Sequence, residues 1–191
     1  MQNVLIISGH PIINESIGNA TILGEVAKAL PDAEIRFLDA LYPDYQIDVE
    51  REQEALLKAD VIVWQFPFSW YSVPGLMKLW IDQVFVHGFA HGSTAKLGGK
   101  KLIISFTAGA PESLYSPEGF FGHGIEQYMA QFETTALLCN LDLQDPIYTF
   151  GISYAGRDED KIREQKAMAR DHAERLITAI KATAPALKIA V

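Results

Sequence analysis

A single cysteine, Cys139, stands in the 191 residues, so no disulfide can close within the chain. That suits a reducing, cytoplasmic setting. Basic residues are also few. Sixteen Lys and Arg against 24 Asp and Glu leave a net charge of −8, and no run of Lys or Arg occurs. That balance argues against a general binder of nucleic acid or anionic membrane. No apolar run approaches the roughly 18 residues of a membrane span. The opening Met1 to Ile7 lacks the basic flank and long apolar core of a secretion signal. The expectation is a soluble, cytoplasmic protein.

Two catalytic fingerprints are missing as well. No G-x-G-x-x-G dinucleotide loop is present, and no G-x-S-x-G hydrolase elbow follows a strand. A phosphoacceptor receiver needs acids after its first strand and an Asp ending its third. Those places hold Ser8-Gly9-His10 and Phe66-Pro67. His87 and His91 have a metal-ligand spacing, but Gly88 and Gly92 oppose a helix there and no third ligand stands out, so no metal is expected.

What is present alternates between two hydrophobic periods. At 49% hydrophobic, the chain has enough apolar residues for one large α/β core over residues 1–191. Val4 to Ile7 is a short, continuously apolar run, and Val61 to Phe66 and Leu102 to Phe106 are mostly apolar, as expected of strands covered on both faces. Further strands are expected at Glu34 to Asp39 and Ile147 to Phe150. Helical spacing marks Ser16 to Leu30, Val49 to Lys58, a helix opened by Pro74, Gly124 to Leu138 and Asp158 to Lys181. This order predicts a five-stranded parallel sheet, order 2-1-3-4-5, with helices on both faces. A ligand then sits beyond the strand C-termini, at the switch between strands one and three. Glu50, Glu52, Glu54 and Asp158 to Asp160 read as solvated helix faces, and Cys139 as packed.

Three loops at that edge carry the chemistry. The first, Ser8 to Asn19, runs into a helix N-terminus, where backbone N–H groups and the dipole attract an anion. Ser16, Asn19 and His10 add side-chain donors. The plainer reading is an N-cap after a Pro-containing turn. The second, Pro67-Phe68-Ser69-Trp70-Tyr71-Ser72-Val73-Pro74, sets three aromatics between prolines, a wall against which a flat ring such as a flavin can stack. The plainer reading is an aromatic plug in the core or at a subunit interface. The third, Thr107 to Tyr115, offers small residues for close backbone approach, a hydroxyl at Thr107 and a phenol at Tyr115.

Gly-His-Pro with Ser-x-x-Asn, Trp64-Gln65-Phe66-Pro67-Phe68-Ser69-Trp70-Tyr71 and Leu79-Trp80-Ile81-Asp82-Gln83-Val84-Phe85 together resemble the NAD(P)H:quinone oxidoreductase family, which has a flavodoxin-like fold. The likeness is closest to its short bacterial branch, which includes the ancillary flavoproteins of glutathione-gated potassium efflux systems. Leu41-Tyr42-Pro43, Ile47-Asp48 and His87 to Gly92 extend it over nearly the whole chain. The resemblance implies FMN, with FAD as the alternative, and NAD(P)H and a quinone as co-substrates. It implies that His10, Ser16, Ile17, Gly18 and Asn19 hold the flavin phosphate. Phe68, Ser69, Trp70 and Tyr71 would meet the isoalloxazine, and Thr107, Ala108, Gly109 and Ala110 its pyrimidine edge. Tyr115 matches the active-site tyrosine. Two departures stand out: Thr-Ala-Gly-Ala replaces the frequent Thr-Thr-Gly-Gly, and the catalytic histidine falls on Phe121, with His123 as a substitute. A homodimer is implied too, with Trp80, Phe85, Phe89, Phe120 and Phe121 as surplus aromatics near the active edge. A transporter partner would place the protein peripherally at the inner face of the membrane.

Overall fold

Alternation inside the apolar runs decides the architecture. In the computed structural model, which describes residues 2–183, the first run is strand β1 (Val4–Ser8). Its Ile6 faces one way while Leu5 and Ile7 face the other. The same two-residue period sorts β3 (Val61–Pro67) and β4 (Lys101–Thr107): Val61, Val63 and Ile103 join Ile6, whereas Trp64, Phe66, Ile104 and Phe106 join Ile7. Helices α1 (Ile17–Ala29) and α6 (Glu159–Ala182) cover the first face. Helices α3 (Val49–Lys58), α4 (Gly75–Val84) and α5 (Ile125–Leu138) cover the second. Each buried Leu, Ile or Phe in these layers is worth about 1.5–3 kcal/mol relative to exposure.

All strand pairs are parallel, and with β2 (Glu34–Phe37) and β5 (Asp142–Leu143) the order is β2-β1-β3-β4-β5, as the alternation of strands and helices predicts. Two boundaries differ from expectation. The second strand, β2 (Glu34–Phe37), stops early because a one-turn helix α2 (Leu38–Leu41) follows it. The fifth position holds two strands, not one. β5 (Asp142–Leu143) pairs the beginning of β4 and β6 (Ile147–Thr149) its end. Pro146 lies in the gap and has no N–H to donate to the ladder.

Several sequence readings are corrected by burial. Glu52 is fully buried, not solvated: its carboxylate accepts from Arg36, Tyr42 and the Trp80 indole Nε1 at 2.9 Å. Burial and then the hydrogen bond to Glu52 push the Tyr42 phenol up to about 12. Trp80, Phe85 and Phe89 belong to the core, which leaves exposed Phe120 and half-buried Phe121 from the surplus aromatics. Cys139 is buried as expected, and burial pushes its thiol up.

Candidate functional site

The C-terminal ends of β1, β3 and β4 open into a cleft of about 450 Å³. Its floor at one end is the N-terminus of α1. Ser16 caps that helix by accepting from the Asn19 amide at 3.0 Å, which leaves its O–H to donate outward. The amides of Ile17 and Gly18 sit in the first turn, where no intrahelical acceptor exists. His10 lines the same end. Its Nδ1 accepts from the Ile12 amide at 3.1 Å, so the neutral ring carries its proton on Nε2. Burial lowers the His10 pKa, and Asp39 opposes that shift.

Phe68 forms the apolar wall, packed on Phe106 with ring centroids 4.7 Å apart. Beyond it the chain doubles back. Ser72 donates to the Ser69 carbonyl at 3.1 Å, and Trp70 and Tyr71 between them take positive φ of 50° and 65°. Side chains with a Cβ rarely occupy that region, and such strain concentrates at functional sites. Trp70 is 92% exposed at the tip, and Tyr71 stacks on Tyr128 with centroids 5.4 Å apart.

Thr107 and Gly109 supply the third side of the cleft, and Ile152, Ser153, Tyr154 and Arg157 the fourth. Arg157 is held by Nε, which donates to the Ser153 carbonyl and to Gln165. Arg157 and the α1 N-terminus give the cleft donors for an anion, with Glu15 as the opposing charge in its lining.

A family model described as the flavodoxin-like fold matches residues 2–173. The chain belongs to this flavodoxin-like family. It is similar to general stress protein 14 from Treponema denticola, solved in complex with FMN, at 30% identity over 94% of this chain and 99% of that one, TM-score 0.82. A structure of thermophilic tryptophan halogenase from Streptomycin violaceusniger matches at 33% identity over 88% and 97%, TM-score 0.77. An NADPH-quinone reductase from P. pentosaceus shares the fold at 23% identity over 92% and 97%, TM-score 0.72. These names span different reactions.

In this flavodoxin-like protein, His10, Ser16, Asn19, Phe68, Ser69, Thr107 and Gly109 line one cleft. Other expected contacts stand back from its lining. Gly18 packs under Ile152, where an added Cβ would come within 2.8 Å, and Ile17 is its neighbour in the helix. Ala108 is fully buried; its amide donates to Thr149 and its carbonyl accepts from Ile152. The Ala110 carbonyl is likewise taken, by the Gly151 amide. Trp70 and Tyr71 belong to the turn beyond the wall.

Tyr115 sits in an aromatic cluster next to the wall, with ring centroids 6.5 Å from Phe68, 5.0 Å from Phe121 and 4.9 Å from Phe150. Burial, then Tyr71 and Tyr128, raise its pKa, which keeps the phenol a donor. His123 is exposed and touches Tyr128, which in turn meets Tyr115. His87 and His91 bridge in a loop, not a helix, and among the described residues no cluster of three ligating groups occurs. The segment Ile152 to Arg157 was missed by the sequence reading. Its signal was position: it follows the last strand at the same sheet edge, and Arg157 is the first arginine after that strand in the sequence.

Proposed function

We propose that this protein is a flavin-dependent NAD(P)H:quinone oxidoreductase that binds FMN in the cleft at the β1/β3 switch. The observation that carries this reading is the juxtaposition of an anion-receiving end with an aromatic wall in one cleft. His10, Ser16 and Arg157 make up the first, and Phe68 the second. The donor set suits a phosphate, Phe68 suits a flat ring, and the Thr107 hydroxyl and the Gly109 backbone suit a polar ring edge. The FMN bound by the Treponema protein supports the mononucleotide over FAD.

When bound, the flavin supplies hydride acceptance from NAD(P)H and two-electron donation to the acceptor. This chain's residues do the rest. The α1 N-terminus, Ser16 and Arg157 fix the phosphate. Phe68 orients the ring and keeps water from its face, and the strained Trp70–Tyr71 turn presents an indole to ligands stacking from outside. Tyr115 donates a hydrogen bond to the reduced ring or the acceptor oxygen, with His123 in support. A homodimer formed through the exposed Trp70 and Phe120 completes the proposal; sedimentation showing only monomer at micromolar concentration would count against it. Docking on an efflux transporter is tested separately, by pull-down with the transporter. No helix of the described residues is long and apolar enough to cross a membrane.

The decisive experiment is heat release of flavin from the purified protein, with reconstitution if it is colourless, followed by NAD(P)H oxidation with a quinone. FMN on chromatography and quinone-dependent turnover are expected. A protein that neither carries flavin nor takes it up would overturn the reading.

A further inference from the structure

A row of buried polar side chains links the far side of the molecule to the cleft. Gln65 and Ser105 continue the strand positions of Val63 and Ile103, so they face α1 and α6 but lie at the strands' C-terminal ends. Helix α6 meets them with His172, which is fully buried on its apolar stripe with Ala169, Ala173 and Leu176. Ser105 Oγ lies 2.8 Å from His172 Nε2 and 2.6 Å from Gln65 Oε1. Gln65 Nε2 donates to Asn19 Oδ1 at 2.9 Å, and Asn19 Nδ2 donates to Thr107 Oγ1 at 3.0 Å. At the other end His172 Nδ1 lies 2.9 Å from Thr149 Oγ1, which accepts from Arg175 Nη2 at 2.8 Å.

Such a row of hydroxyls, amides and a neutral imidazole can run in either of two senses. Every amide flips and every proton shifts together. Arg175 breaks the tie, because a guanidinium only donates. With Thr149 accepting from Arg175, its own proton is satisfied on His172 Nδ1. Nε2–H then donates to Ser105, Ser105 to Gln65, Gln65 to Asn19, and Asn19 to Thr107. In the opposite sense Thr149 would receive from both His172 and Arg175, and its proton would meet no acceptor among the described residues. Burial, and then the charge of Arg175, hold the imidazole down at about 3 against Asp171, so it is neutral.

We propose that Arg175 and His172 are positioning residues that set the sense of this chain, and so turn the Thr107 hydroxyl outward as a donor to an acceptor atom of the bound ring. This rests on the flavin reading for the identity of the ring but not for the sense of the chain. Thr107 lines the cleft, and because its Oγ accepts from Asn19 its proton is not taken up within the row and is free for an acceptor in the cleft. A carbonyl oxygen or an unprotonated ring nitrogen at that point satisfies this proton.

The test reads the imidazole directly. Long-range ¹H–¹⁵N correlation on the full chain, with the His172 signal assigned by its loss in His172→Gln, reports the tautomer with no flavin added. Wild type should show the proton on Nε2. In Arg175→Met the tautomer should become mixed or reversed, and Arg175→Lys should restore it. Arg175 is 43% exposed, so the fold tolerates both. FMN binding, followed by flavin fluorescence, should weaken about tenfold in Arg175→Met, as for loss of one hydrogen bond. It should weaken no further when that change is added to Thr107→Val. An Nδ1–H tautomer in wild type, or an unchanged tautomer in Arg175→Met, overturns the proposal. So do additive losses in the double variant. A wild type that binds no FMN overturns the flavin reading instead, and the tautomer still decides the sense of the chain.

Discussion

Arg36 Nε donates to Glu52 Oε2 at 2.8 Å in the core, where the two side chains are 6% and 0% exposed. The pair ties β2 to α3, and Tyr42 and Trp80 occupy the remaining acceptor capacity of the carboxylate. Removing one partner strands the other. Glu52→Ala should therefore cost about 3–5 kcal/mol in urea unfolding. Replacing both residues by apolar ones, as in Arg36→Met with Glu52→Leu, should cost much less. A small loss in the single variant would show that water reaches the site.

Tyr115→Phe should retain FMN yet slow quinone reduction. Loss of one preorganised donor costs ~10²–10³ in rate, and the lower end or less is expected because other contacts to the ring remain. Stopped-flow on the flavin's oxidative half-reaction isolates the step; an unchanged rate would remove Tyr115 from the chemistry.

Ser16→Ala should do two things at once. It removes the α1 cap, worth about 1 kcal/mol of stability, and it removes a hydroxyl from the anion-receiving end. Thermal unfolding should drop modestly, while FMN dissociation should accelerate by more than the stability loss explains. Equal effects on the two would make Ser16 a cap alone.

Trp70→Gly relieves a positive φ and should stabilise the protein by roughly 1 kcal/mol. The expected cost is a higher KM for aromatic acceptors, since the exposed indole is gone. Destabilisation would mean that the turn is not strained.

His172 makes a pH prediction with a definite sign. Its folded value is lowered to about 3, whereas unfolded histidine titrates near ~6.5. Above that point both states are neutral and stability is indifferent. As pH falls from ~6.5 toward 3 the unfolded state alone takes up the proton, so stability is lost at up to about 1.4 kcal/mol per pH unit. Arg175 and Asp171 are the charged groups facing it. His172→Gln should flatten the slope of stability between pH 6 and 4, and an unchanged slope would show that His172 is not held neutral.

The doubly covered sheet was legible because Val61 to Phe66 and Leu102 to Phe106 carry apolar residues at both parities, and its parallel order followed from the alternation of strands and helices. Glu52 was not legible. It stands between Glu50 and Glu54 on a helix that reads as solvated, and its partner Arg36 lies on a different element. His172 hid among charged neighbours, although its spacing from Ala169, Ala173 and Leu176 places it on the buried stripe. At the cleft the three loops were readable from their residue types. Which backbone groups remain free was not, since pairing of Ala108 with Thr149 and Ile152 depends on where β6 and the segment after it lie.

The broken fifth strand also bears on how copies of this protein meet. Its sheet margin is interrupted at Pro146, and the opposite margin is the four-residue β2 carrying Glu34 and Arg36. Short, charged or proline-broken margins offer a poor template for hydrogen bonding by another chain. Folded molecules are thus given little at either margin from which a sheet could be extended. Association is left to helices and loops, whose side chains can be selective about what they accept.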